Sequence, residues 1–481
     1  MISEKATIAK NTGILVTTEI LTRILGTVLT ITIARKLGAS SLGLLAFALS
    51  FSRVFDFLPN FGFKNLISRD VAKEPTTAGC YLSNIFVIKL VFSVSALLLI
   101  IVVLLFTDCS QEKFLIVFIA SLIMTTGSFI DFFYAFFRAL QKVKYEAILK
   151  VILNFLIVST GLTVLFLGYD LVPFISVRFL VYLFSFAVGI SLIAKKLVKP
   201  GLNIQWDFCI QIIKSAIPFA MLGIIGNIST QMGTILLSFI KGDEATGWFS
   251  AAQRLYGVFS FIPAAFVGAV LPAMSKFSHY DTGKKLVKTY EGTIKYLLII
   301  ILPIAAGMSI LADDIILLVY GEKFVQSIIV LRILIWSPVF SFLNRGCMIA
   351  FASINKEKKL VRIQVLGTIV NFCVNISLIP LFGPVGVSIA TVASQVVVFA
   401  FSAYIISKDF GQASIGKVSL KPLLAVLIMS LFLVLFKQQN IIILIPIAAL
   451  LYSLTLLLLK AFDNDELSIL KELYRKKIAK P

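Results

Sequence analysis

The chain has 481 residues, of which 59% are hydrophobic and only 14% charged, with 42 Phe and a formal net charge of +20. A mean hydropathy of +1.00 excludes a water-soluble enzyme or binding domain, because no polar stretch is long enough to fold separately in water. The basic excess does not mark a nucleic-acid binder, since most of it lies in connectors on one side of the apolar segments, where it faces anionic lipid head groups.

Fourteen apolar stretches, most of them 19 to 28 residues long, predict an all-α integral membrane protein. In chain order the expected spans are 14–33, 42–63, 81–106, 114–137, 147–167, 172–194, 215–240, 247–273, 290–311, 325–352, 360–380, 385–406, 422–436 and 441–459, numbered here as spans 1 to 14. With the N-terminus in the cytoplasm, connectors and tails on that side carry 28 Lys and Arg, and those on the other side carry 6. This bias puts both termini in the cytoplasm of a cell membrane, plasma or inner. Glu19 and Arg23 inside the first stretch argue against a cleavable signal peptide.

The five cysteines (Cys80, Cys109, Cys209, Cys347 and Cys373) are odd in number and form no CxxC pair, so they read as packing residues. The single His279 stands in a connector beside Tyr280 and Asp281. Neither a metal site nor a cofactor is expected, and no arrangement of nucleophile and base points to an enzyme.

Sliding the chain over itself by 204 residues pairs Gly38 with Gly242, Gly43 with Gly247, Ala48 with Ala252, Val54 with Val258, Phe55 with Phe259, Phe57 with Phe261 and Pro59 with Pro263. A weaker echo at offset 214 pairs Phe137, Lys142 and Lys144 with Phe351, Lys356 and Lys358. Both carry a residue six spans onward, an even number, so the halves share one orientation: a parallel repeat. The expected organisation is an N-lobe at 1–212 (spans 1 to 6), a C-lobe at 213–408 (spans 7 to 12), and 409–481 holding peripheral spans 13 and 14 with a basic cytoplasmic tail. Two such pseudo-symmetric six-helix lobes enclose a cleft and give alternating access by rocking.

The residues that carry this repeat also carry a resemblance. The segment from Ile33 through Leu37-Gly38-Ala39-Ser40-Ser41-Leu42-Gly43, the span ending near Pro59, Asn60-Phe61-Gly62-Phe63, and later Asn371, Asn375, Pro380-Leu381-Phe382-Gly383-Pro384-Val385-Gly386 and Ala390-Thr391 are similar to the polysaccharide flippases. These belong to the multidrug/oligosaccharidyl-lipid/polysaccharide exporter superfamily. The resemblance implies a flippase that moves a polyprenyl-pyrophosphate-linked oligosaccharide from the cytoplasmic to the outer leaflet for cell-surface polysaccharide biosynthesis. Membrane lipids, a glycan polymerase and glycosyltransferases would then be its neighbours. The alternatives are a lipid II flippase and a cation-coupled multidrug exporter of the same superfamily, with a non-transporting scaffold as a third class.

Charges inside the spans carry the chemistry, because a cation at mid-membrane costs at least about 2.5–3.5 kcal/mol. Basic residues in or bordering the spans include Arg23, Arg53, Lys64, Lys89, Arg178, Arg254, Lys295, Arg332 and Arg345. Lys64, Lys89 and Lys295 are near enough to the cytoplasmic ends to snorkel, and Arg178 and Arg332 lie near the outer ends. Of the deep arginines, Arg23 has Glu19 at i−4 and Arg53 has Asp56 at i+3, spacings that allow pairing along one helix face. Arg254 has no acid within a turn, so it needs either an interhelical partner such as Asp131 or a ligand anion suited to its planar fork.

The resemblance implies the second, since in the lipid II flippase branch arginines on spans one, two and eight hold the lipid pyrophosphate, and Arg23, Arg53 and Arg254 stand on the matching spans. That branch's Arg-Asp neighbour pair is absent, as Ile24 follows Arg23. Asn227, Gln231, Gln253 and Tyr256 are candidate sugar contacts. Glu19, Asp56 and Asp131 are candidates for charge balance or ion coupling, and Pro59 and Pro263 for hinges.

Overall fold

A computed structural model describes residues 2–107, 109–196, 204–261, 283–353, 356–410 and 414–462. Every expected span falls on helix, span 8 being described as far as Phe261. By length and apolarity alone, the described residues hold twelve candidate membrane helices. The difference from fourteen has a local cause. Spans 1 and 2 run together in Ile2–Val54 and spans 7 and 8 in Trp206–Gly257, each through a glycine at which the backbone turns.

Gly38 takes φ 84°, ψ −175° and Gly242 takes φ 83°, ψ −178°, a conformation open to glycine and strained for a residue with a Cβ. These are repeat partners 204 residues apart, so the duplication survives as backbone geometry. It also survives as packing. A Cβ at Gly43 would fall on the carbonyl oxygen of Asp243, and a Cβ at Gly247 on the carbonyl oxygen of Ala39. Ala39 and Asp243 are themselves 204 residues apart, so the contact is reciprocal, as a two-fold relation requires. The two glycine corners thus pack backbone to backbone at the end of the helices where span 1 joins span 2.

At the other end both repeats stop their helix at the same place. Span 2 ends at Val54 and span 8 at Gly257, one residue before Val258, the partner of Val54. Beyond Val54 the chain makes a short helix, Phe57–Asn60, and then breaks at Phe61 and at Gly62, which has φ 75°. Pro59 sits buried inside that short helix, so the bend flanks the proline rather than centring on it. Pro263 lies outside the described residues.

An eleven-residue helix, Phe63–Lys73, follows where a loop was expected. It buries Phe63, Leu66, Ile67 and Val71 on one face and leaves Lys64 and Arg69 exposed on the other, the i, i+3, i+4 pattern of an amphipathic helix. It is too short and too polar for a span-length window to detect.

Lys89 does not snorkel. It is 1% exposed, donates to the carbonyl of Pro59 at 2.5 Å and lies 3.4 Å from Asn60 Oδ1, between the rings of Phe129 and Phe132. Its ammonium occupies a carbonyl next to the break in span 2, where intrahelical donors run out. Lys89→Met keeps the length but leaves that carbonyl without its donor, which costs about 1–3 kcal/mol. The expected result is a lower unfolding midpoint in detergent; an unchanged midpoint would mean the ammonium is dispensable there.

By internal packing the chain divides into two units. One comprises Met1–Phe261, Tyr320–Ser327 and Thr368–Thr391. Within it, Asn371 donates to the carbonyl of Ala390, Asn375 donates to Asn371, and a Cβ at Gly386 would meet the backbone of Leu378 at 2.6 Å. The asparagine and glycine signature therefore closes a helix hairpin. The other unit comprises Ile262–Val319, Ile328–Gly367 and Val392–Pro481. In it, spans 13 and 14 show continuous exposed Leu and Ile, a lipid-facing surface, and Tyr452 ties span 14 to span 9 through the carbonyl of Ile299.

Candidate functional site

The site assembles from spans 1, 2, 4, 5, 6 and 8, all in the first unit. Arg23 is engaged twice. Its guanidinium meets Glu19 at 2.9 Å on its own helix and donates to the carbonyl of Gly257 at 2.8 Å. Gly257 is the last helical residue of span 8, so the arginine caps a helix end that carries partial negative charge. One turn earlier on span 8, Arg254 reaches back to span 1, where its guanidinium lies against Gly26; a Cβ there would displace it. The two arginines therefore cross between the same two helices in opposite senses.

The expected pairing of Arg53 with Asp56 does not form. The helix ends at Val54, so the i,i+3 spacing no longer puts the two on one face, and Asp56 instead accepts from Asn60 at 2.8 Å. Arg53 is left exposed to the interior space. Arg254, likewise exposed, has neither Asp131 nor any other ion-pair partner among the described residues. The charges within its electrostatic reach are Arg178, Arg53 and Arg23, together with the Tyr320 hydroxyl.

Arg178 is the residue the sequence reading missed. It stands near the outer end of span 6 and lines a cavity of about 460 Å³ together with Glu19, Arg53, Asp56, Asp131 and Tyr134. All three expected charge-balance acids thus face one space. Lys150, Asn154 and Tyr182 complete its polar wall. Lys150 is held from behind by Glu146 at 3.2 Å, which also meets Arg138 at 3.1 Å. The i,i+3 spacing of Asp131 and Tyr134 on span 4 was a signal that these belong together. Of the suggested sugar contacts, Asn227, Gln231, Gln253 and Tyr256 lie on span 8 or the preceding span and outside this cavity.

At the glycine corners a second polar cluster joins the halves of the repeat. Lys113, at the start of span 4, meets Asp243 at 2.8 Å, and Ser238 donates to the same carboxylate at 2.6 Å. The lysine ammonium also lies 4.2 Å from the centre of the Phe47 ring, a cation–π contact. Among the described residues no group of His, Cys, Asp and Glu has the composition to hold a metal ion.

The family model of the polysaccharide biosynthesis proteins matches residues 8–278. A probable low-salt glycan biosynthesis flippase of Haloferax volcanii is 21% identical over 385 residues, covering 78% of each chain. In fold, the chain is similar to the lipid II flippase MurJ in an inward-closed conformation, with a TM-score of 0.74 at 18% identity over 93% of this chain and 99% of that one. It is also similar to an inward-facing multidrug resistance MATE family transporter of the MOP superfamily, with a TM-score of 0.64 at 16% identity over 80% of this chain and 95% of the other.

Proposed function

The chain belongs to the polysaccharide biosynthesis protein family, and from that premise we propose that it flips a polyprenyl-pyrophosphate-linked oligosaccharide from the cytoplasmic to the outer leaflet. The observation that carries this reading is the arginine cluster. Arg23 and Arg254 cross between spans 1 and 8, Arg53 on span 2 and Arg178 on span 6 lie within electrostatic reach of Arg254, and of these four only Arg23 has a carboxylate at ion-pair distance among the described residues. A pyrophosphate supplies the oxygens to which such planar forks donate in pairs. Glu19, Asp56 and Asp131 balance the cluster while the site is empty.

In this reading both termini are cytoplasmic in the cell membrane, and the lobes 1–212 and 213–408 rock about the cleft while 409–481 stays peripheral. The packed corners at Gly43 and Gly247, with Lys113 on Asp243, form the closed outer side. The polyprenyl tail stays in lipid while pyrophosphate and sugars cross between the lobes, passing from glycosyltransferases to a polymerase.

The test is reconstitution. Protein is inserted into vesicles carrying a fluorescent polyprenyl-pyrophosphate glycan, and accessibility of the glycan to an impermeant glycosidase is followed. The expected result is protein-dependent loss of the protected inner-leaflet pool. Vesicles that instead move ethidium and leave the glycan protected would replace this reading with the drug exporter.

A further inference from the structure

Of the four arginines, Arg53 and Arg178 line the N-half cavity, whereas Arg23 and Arg254, which cross between spans 1 and 8 and take the pyrophosphate, do not. Arg53 and Arg178 line the cavity without a hydrogen-bond or ion-pair partner among the described residues, and the Nε of Arg178 is fully buried. Tyr134 lines the same cavity; it is 2% exposed, and its buried hydroxyl has no hydrogen-bond partner among the described residues. Arg53 is exposed and Arg178 half-buried, so both keep guanidinium donors available to an oxyanion in the cavity they line. Asp131 faces the same space and Asp56 retains acceptor capacity beyond its bond to Asn60. A carboxylate of this kind accepts hydroxyl groups. The volume, about 460 Å³, falls within the roughly 300–1,000 Å³ of small-molecule sites, and the rings of Tyr134 and Tyr182 supply apolar wall.

An anion alone would face three carboxylates, and a neutral sugar would leave both guanidinium groups without oxygens. A single unit satisfies every group when it carries hydroxyls and one oxyanion. We infer that the N-half cavity is a subsite for one acidic monosaccharide unit, its carboxylate or phosphate on Arg53 and Arg178 and its hydroxyls on Asp56 and Asp131. Arg178 also lies within electrostatic reach of Arg254, so the subsite adjoins the pyrophosphate position. This rests on the flippase reading and narrows its substrate to glycans with an acidic sugar near the lipid.

The test uses the purified full chain in nanodiscs, titrated calorimetrically with D-glucuronate, D-glucose 6-phosphate, D-glucose and farnesyl pyrophosphate. Either acidic sugar is expected to bind at least about tenfold more tightly than glucose, the scale of one charge-assisted contact. Which of the two binds more tightly identifies the oxyanion. Arg178→Gln should remove that preference while farnesyl pyrophosphate binding changes less than about threefold, and Arg254→Gln should do the reverse. Where Arg178→Gln does not give a monodisperse protein, Tyr134→Phe serves, with an expected loss of about three- to tenfold for the acidic sugar. Equal binding of glucose, absence of acidic-sugar binding, or an acidic-sugar affinity unmoved in the variants would overturn the subsite. So would full displacement of the sugar by farnesyl pyrophosphate, which would make the two positions one. Failure of farnesyl pyrophosphate alone would remove the pyrophosphate assignment and leave the subsite standing.

Discussion

Arg254→Ala is expected to cut glycan translocation by roughly 10- to 150-fold, because it removes a charge-assisted contact of about 1.5–3 kcal/mol. The same change should leave the empty protein as stable as before, or more so. The charged groups in electrostatic reach of Arg254 are the cations Arg178, Arg53 and Arg23, so neutralising it relieves like-charge repulsion. A structural arginine behaves oppositely, since removing it exposes the acid it held. Loss of transport with an unmoved or raised unfolding midpoint therefore separates a ligand-binding role from a packing role. Arg254→Lys should recover only part of the rate, because a point charge replaces a two-pronged donor. Translocation at the original rate by the alanine variant, at equal protein in the vesicles, would remove Arg254 from the site.

How far the residues foretold this arrangement depends on what each signal measures. Span length and connector charge report on the bilayer, which acts on every residue alike, and the fourteen stretches fall on helix as far as they are described. The repeat was legible because Gly38 and Gly242 tolerate no other residue at positive φ, and Gly43 and Gly247 no Cβ against a facing backbone. Such constraints leave identical letters. Pairing was legible only where the helix continued: Glu19 holds Arg23, whereas the break after Val54 separates Arg53 from Asp56. Depth along a span also misled for Lys89 and Arg178, because distance from a helix end does not reveal which face a side chain occupies or that a neighbouring helix has opened a carbonyl. The amphipathic helix Phe63–Lys73 escaped for another reason, its polar face hiding a buried one from an averaged hydropathy.

Gly43→Val and Gly247→Val should each arrest the cycle while the protein still inserts. In the present state a Cβ at either position falls on backbone, the Asp243 carbonyl for one and the Ala39 carbonyl for the other. Backbone in a packed helix corner has little room to yield. Overpacking of this kind costs at least about 1–3 kcal/mol, and here it is paid only by the state in which the corners touch. The variants should therefore populate a state with the corners parted, in which Lys113 and Asp243 no longer meet at 2.8 Å. Introducing Asp243→Cys into a background without the five native cysteines gives the readout. An impermeant thiol reagent added on the side opposite the termini should label Cys at that position faster in the valine variants than in the glycine parent. Translocation should fall together with that change, because a carrier held open on one side cannot reload from the other. The reciprocity of the contact adds a sharper demand. Since each glycine serves the same interface from opposite sides, the double variant should be scarcely worse than either single one, a non-additivity expected of coupled neighbours. Slow labelling with full transport in both valine variants would mean that the corners are packed too loosely to gate anything.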